Sequence, residues 1–128
     1  MTELGHVLYV DDEPDIREIA SLALAGVGGL RVTLCSSGAE ALTEIPQALP
    51  DMILLDVMMP MMDGPAVMAK LREDPATAGI PVVFLTAKAQ AAEMQSYLRL
   101  GALGVIAKPF DPLALADQLK ALWRRRPA

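Results

Sequence analysis

Residues 52–64 read Met-Ile-Leu-Leu-Asp-Val-Met-Met-Pro-Met-Met-Asp-Gly, an apolar run that stops at the carboxylate of Asp56 and gives way to a loop. Four consecutive apolar residues suit neither a half-exposed strand, which alternates, nor a helix, which needs more length; they suit a strand buried on both faces. Similar short runs rich in Val, Ile and Leu occur at 7–10, 30–35, 81–85 and 104–107. Between them the apolar residues fall at helical spacing: Ile16, Ile19, Ala20 and Ala23; Ala41, Leu42, Ile45 and Leu49; Leu115, Leu119 and Leu122. The segments at 67–71 and 94–98 fit the same role. Gly26, Gly28 and Gly29 stop the first helix, and Pro50 forces an extended lead into the third strand. Strand and helix thus alternate five times, which predicts an α/β fold: a five-stranded parallel sheet joined by right-handed crossover helices and covered on both faces.

The chain has 128 residues, 53% apolar, 21% charged and only 4% aromatic. That is one domain's worth with an aliphatic core, and no linker or repeat divides it. One cysteine, Cys35, and one histidine, His6, exclude a disulfide framework and a Cys/His zinc site. The longest uncharged stretch, 75–87, is short of the roughly 18 residues a spanning helix needs. The early acids Glu3, Asp11, Asp12 and Glu13 do not fit a secretory signal. A cytoplasmic protein with no membrane partner is expected. The net charge of -5 likewise predicts no direct nucleic-acid partner, the one basic run being Arg124, Arg125 and Arg126.

The first polar residues after the apolar runs are Asp11, Asp12 and Glu13, then Asp56, Thr86 and Lys108. In a parallel sheet these ends share one edge, and ligand sites form there where the strand order reverses. Carboxylates gathered in one place repel unless a cation joins them. A hard divalent ion answers this, and Mg²⁺ suits a site that must also take water or phosphate oxygen. Mg²⁺, the Lys108 ammonium and the Thr86 hydroxyl would each take one peripheral oxygen of a transferring phosphoryl group, with Asp56 as the nucleophile.

On these residues the chain closely resembles the receiver domains of two-component response regulators from its first strand to its last helix. Asp11-Asp12 matches the family's metal-binding acidic pair, 56–64 its phosphoacceptor and following loop, Thr86-Ala87 its hydroxyl residue and small neighbour, and Lys108-Pro109-Phe110 its lysine with a proline after a cis peptide. The resemblance implies a doubly wound (βα)5 flavodoxin-like receiver fold over residues 1–128. It also implies Mg²⁺ held by Asp12, Asp56 and the backbone carbonyl of Met58, with Asp11 acting through water. A sensor histidine kinase or histidine phosphotransfer protein would donate the phosphoryl group to Asp56. Phosphorylation would draw the Thr86 hydroxyl inward and repack the face of the fourth helix, fifth strand and fifth helix, where a downstream protein binds. The domain would promote its own phosphorylation and hydrolysis without being a turnover enzyme. Only Pro127 and Ala128 follow the arginines, so no output domain is expected and signalling is expected to pass through protein contact or onward phosphotransfer. Removing Lys108 is expected to cost phosphotransfer or switching more than folding.

One departure concerns the output. Three residues before its lysine the family commonly has Tyr or Phe, and this chain has Val105. Valine has no ring to swing between rotamers, so a muted or rerouted switch is expected.

Other readings account for single residues but not for the set. Asp12 or Asp15 suits a cap of the first helix beside Pro14, and Thr86 a cap of the helix after it. The methionines at 58, 59, 61 and 62 suit packing under a loop better than a hard-metal site. His6 reads as a surface or satisfied edge residue, and Cys35 as an inert apolar one. An aspartate-nucleophile phosphatase of the haloacid dehalogenase type needs a second Asp two residues on, where Met58 stands. A flavodoxin-like cofactor binder needs a neutral loop after the first strand, not Asp11-Asp12-Glu13. A docking module indifferent to phosphorylation is favoured by Val105 and opposed by the complete acidic set with Lys108.

Overall fold

The computed structural model describes residues 2–88 and 90–127. The chain runs β1 (His6–Val10), α1 (Pro14–Ser21), β2 (Arg31–Cys35), α2 (Gly38–Ala48), β3 (Met52–Asp56), α3 (Gly64–Glu73), β4 (Val82–Thr86), α4 (Ala91–Arg99), β5 (Gly104–Ala107) and α5 (Leu115–Arg124). The expected alternation is present. The first helix runs on through a π-helical turn at Leu22–Val27, past Gly26, and stops at the glycine pair that follows. Gly29 has φ +69°, and a Cβ on Gly28 would strike Ala116, so glycine lets the end of this helix settle against α5.

All strand pairs are parallel, in the order β2-β1-β3-β4-β5. From β1 the chain steps outward to β2 and then back across to β3, so the reversal lies between β1 and β3. Alternate strand residues feed two cores. Val7, Tyr9, Met52, Leu54, Val83 and Leu85 face α1 and α5. Leu8, Val10, Ile53, Leu55, Val82 and Phe84 face α2 and α3. Each fully buried aliphatic side chain contributes roughly 1.5–3 kcal/mol, which is why these positions are apolar apart from the Tyr9 hydroxyl, and why polar residues fall at the strand ends. β2 departs from the expected burial: Arg31 is exposed, Leu34 is 40% exposed, and Cys35 is its one buried residue. It is an edge strand with a neighbour on one side only. α4 contributes no buried residue, and Tyr97 is its one side chain packed against a core. No helix among the described residues is long and apolar enough to cross a membrane.

Local chemistry sets the ends. Ser37 caps α2 by accepting the Glu40 N–H at 3.1 Å, and Glu40 in turn accepts the Ser36 N–H. α1 has no such cap: its N-cap is Glu13 with no side-chain bond, and Pro14 opens the helix. Neither Asp12 nor Asp15 plays the capping part their positions suggest, so Asp12 is left for other work. Thr86 does not cap α4 either, which begins only at Ala91.

His6 is buried at the start of β1, with Nε2 2.8 Å from the Thr33 hydroxyl. Burial, reinforced by Arg31 and opposed by Asp51, holds its pKa below the usual histidine value. The unfolded chain therefore takes up the proton first as pH falls. Stability associated with His6 is complete above about pH 6.5 and declines as pH drops from there toward the lower folded-state pKa. Melting temperature should consequently fall more steeply between pH 7 and 5 in the wild type than in His6→Gln. Parallel slopes for the two proteins would refute this.

Candidate functional site at the carboxyl edge of the sheet

The polar cluster sits at the topological reversal. Asp11 leaves the end of β1 fully buried, and Asp56 ends β3 at 2% exposure. Asp12 is half-buried beside them. One carboxylate oxygen from each of Asp11, Asp12 and Asp56 lies within 4.8 Å of the other two. Lys108 enters from the end of β5 and bridges the pair, its Nζ 3.1 Å from Asp11 Oδ2 and 3.2 Å from Asp56 Oδ2. Glu13 lies at 3.8 Å on the exposed side.

The backbone accounts for this convergence. Asp11 N–H donates to the Cys35 carbonyl, Val57 N–H to that of Leu85, and Lys108 N–H to that of Thr86. Each strand end is thereby tied to its neighbour. The 57–64 loop folds back so that Gly64 N–H donates to the Val57 carbonyl at 2.9 Å. The Lys108–Pro109 peptide is cis, as the resemblance implied.

The charges are strongly coupled. Burial, followed by the Asp11 charge, pushes the Asp56 carboxyl up to about 6, against the pull of Lys108 and of the Met58 backbone N–H. Burial works against the Lys108 ammonium, yet the Asp11 and Asp56 carboxylates outweigh it and hold its pKa above the ordinary lysine value. Lys108 is therefore a fixed cation. One ammonium against three clustered carboxylates leaves a net negative, hard-oxygen pocket, whose donor set fits a divalent cation of the Mg²⁺ type.

The structure brings together Asp11, Asp12, Asp56 and Lys108. Thr86 stands at the carboxyl end of β4, buried, on the strand next to β3. Its hydroxyl accepts the Lys88 N–H at 3.0 Å. Met58, two residues beyond Asp56, is 65% exposed, and Met61 is fully exposed, while Met59 is buried and Met62 half-buried. Packing under the loop thus describes Met59 and Met62 but not Met58 or Met61. His6 and Cys35 lie outside the site; burial pushes the Cys35 thiol up to about 12, which leaves it inert. Val105 is half-buried and pairs with Phe84, whose ring meets Tyr97 of α4 at 5.2 Å between centroids.

Two supporting residues escaped the sequence reading. Tyr9 donates its hydroxyl to Asp11 Oδ2 at 2.7 Å from within the core, and burial together with Asp11 keeps the phenol protonated. Arg17 donates to the Asp11 carbonyl at 2.7 Å. A tyrosine in the otherwise apolar run Val7-Leu8-Tyr9-Val10 was the available signal, because a buried hydroxyl must find a partner.

A doubly wound parallel sheet with its polar cluster at the switch point defines a class of α/β protein with a site at the carboxyl edge. The family model of the response regulator receiver domain matches residues 7–120, and the chain belongs to that family. It is 40% identical over 119 residues to the probable transcriptional regulator ycf27 of Guillardia theta, covering 93% of this chain and 45% of that protein. It is 37% identical over 119 residues to the DNA-binding response regulator MtrA of Mycolicibacterium smegmatis, covering 93% of this chain and 50% of that one. Among solved structures it resembles the chemotaxis protein CheY4 of Vibrio cholerae, with TM-score 0.84, 32% identity and coverage of 93% of this chain and 98% of that one. The chain spans about half the length of the two curated relatives.

These relatives correct one expectation. Net charge predicted that nucleic acid plays no direct part, yet one relative is named a transcriptional regulator and another a DNA-binding response regulator. The acidic balance describes the surface of one receiver domain. It carries no information about what the remaining half of such relatives contacts.

Proposed function

We propose that this receiver domain accepts a phosphoryl group from a phosphohistidine donor onto Asp56 in a Mg²⁺-dependent reaction and signals through a change at the face formed by α4, β5 and α5. The observation that carries the proposal is the Lys108 ammonium within about 3 Å of both Asp11 Oδ2 and Asp56 Oδ2, beside a third carboxylate. Asp12, Asp56 and the Met58 backbone carbonyl would hold Mg²⁺, with Asp11 acting through water. When bound, Mg²⁺ neutralises charge on the phosphoryl oxygens and on the carboxylates.

An Asp56 oxygen attacks phosphorus; the new P–O bond forms as the donor's P–N bond breaks, and the electron pair leaves with the imidazole nitrogen. Lys108 takes one peripheral oxygen, which costs little reorganisation because its ammonium is already fixed. The Thr86 hydroxyl, whose oxygen accepts the Lys88 N–H, keeps its own proton to donate to another such oxygen. The domain is a phosphoacceptor in the cytoplasm, not a turnover enzyme. In relatives with an output module, this change would be read by a transcriptional, DNA-binding partner domain, and the same reading is proposed for the protein to which this receiver belongs.

Incubation with acetyl phosphate and Mg²⁺ should add one phosphoryl group by intact mass, with no adduct in Asp56→Asn or without the ion. Mg²⁺ at a hundredfold excess over its dissociation constant should also stabilise the fold by roughly 2.7 kcal/mol. An adduct that persists in Asp56→Asn would move the nucleophile elsewhere. No adduct with any donor would favour the docking module.

A further inference from the structure

At the opposite, amino-terminal edge of the sheet lies a cavity of about 690 Å³, bordered by the segments leading into β4 and β5, the end of α3 and the end of α5. That volume falls within the range of small-molecule sites. Its lining combines Arg72, Arg125 and Arg126 with Ile80, Leu103 and Trp123, and includes no acidic side chain among the described residues. No ion pair to any of the three arginines occurs among the described residues. In a chain of net charge -5 this concentration of unbalanced cations is local and specific.

The guanidinium groups are anchored. Arg72 is half-buried and gives one nitrogen to the carbonyls of Ala78 and Ile80, at 2.9 and 3.0 Å. Arg126 lies over the Trp123 ring at 3.5 Å and donates to the Trp123 carbonyl at 2.7 Å. Arg125 donates through Nε to the Ala121 carbonyl at 3.3 Å. Cations at helix carboxyl ends complement the helix dipole, and that accounts for basic residues in the last turns of α3 and α5. Arg72, itself in the last turn of α3, also reaches beyond its own helix to bond loop carbonyls. A guanidinium carries five N–H donors in a fixed fork, so each group keeps donors after these contacts. Burial also works against the Arg72 charge, a cost that a bound anion offsets.

We propose that this cavity binds a small ligand bearing a phosphate or pyrophosphate group, its charge met by Arg72, Arg125 and Arg126 and its remainder packed beside Ile80 and Leu103. The concave shape selects a small molecule over duplex DNA, whose grooves take protruding elements. The site is separate from the carboxylate cluster: β4 alone puts five strand residues, about 17 Å, between the two edges.

The test uses this chain, free of divalent ions, titrated with pyrophosphate and followed by amide and indole N–H chemical shifts. Shifts saturating at 79–81, 101–103 and the Trp123 indole, with at least about tenfold weaker binding in Arg125→Gln/Arg126→Gln and no change in Arg99→Gln, are expected. Shifts confined to 56–58 and Lys108, or an equal loss in Arg99→Gln, would overturn the proposal. So would saturation by a short DNA duplex at lower concentration than pyrophosphate. Because the wild-type map stands alone, a double variant that fails to fold does not rescue a negative result.

Discussion

In the presence of a chelator, Lys108→Ala should be less stable than the wild type by about 3 kcal/mol, the lower part of the range for removing one partner of a buried ion pair. The side chain of Asp11 is fully buried and that of Asp56 nearly so, at 0% and 3% exposure, and Lys108 is their common counter-ion at 3.1 and 3.2 Å. Without it two carboxylates face each other with no compensating charge. Removing Lys108 is expected to cost phosphotransfer or switching more than folding, and its double bridge adds a folding cost of its own. Mg²⁺ should restore much of the lost stability, so the variant gains more from the ion than the wild type does. Phosphotransfer should stay impaired, since the ion does not replace the donor to the phosphoryl oxygen. Denaturant midpoints with and without Mg²⁺ measure both effects. Equal stability of the two proteins in chelator would remove Lys108 from its bridging role.

Gly64→Ala should cost roughly 2–3 kcal/mol and weaken Mg²⁺ binding together with it. A Cβ at Gly64 would fall 2.7 Å from the Asp56 carbonyl oxygen, 3.0 Å from Val57 Cα and 3.2 Å from a Phe84 ring carbon. Two of these atoms belong to the backbone and have no rotamer with which to escape. Relief requires β3 and the loop after it to shift, and Asp56 shifts with them. Gly26→Ala is the control: nothing lies within 4 Å of its Cβ position, so stability should hold. A Gly64→Ala protein that melts with the wild type and binds Mg²⁺ as tightly would refute the constraint.

The fold was legible because the strands that position the site are buried on both faces and written almost without interruption. Met52 to Leu55 could hardly be anything else once Asp56 closed the run. β2 was harder to read, since an edge strand with Arg31 and Thr33 has only part of its surface in the core. Asp12 and Asp15 stand where caps stand, and it was the joint pattern of Asp11, Asp12, Asp56, Thr86 and Lys108 that set Asp12 apart from a cap; in the structure Asp12 caps nothing and lies in the carboxylate cluster. Asp11, Asp56 and Lys108 were legible as strand ends on one edge. Tyr9 was not, because its role depends on which way the hydroxyl points from a core position. The arginines around the amino-terminal cavity were equally hidden: Arg72 and Arg126 are 54 positions apart in sequence, on helices that cover opposite faces of the sheet, and only the segments 79–81 and 101–103 at its amino edge place them around one cavity. Nor did the charge of one domain speak for what its relatives' other half binds.

α4 meets the core through Tyr97, whose ring packs against Phe84, and has no fully buried residue. An aromatic pair of this kind is worth on the order of 1 kcal/mol beyond its buried area. As the one helix with no fully buried residue, α4 is the least firmly seated of the five, and its alternative placements are expected to lie within a few kcal/mol of the observed one. Under the proposed function the domain would then act as a rheostat with a resting leak: phosphorylation would redistribute an existing population of α4 placements, and output would rise from a non-zero floor.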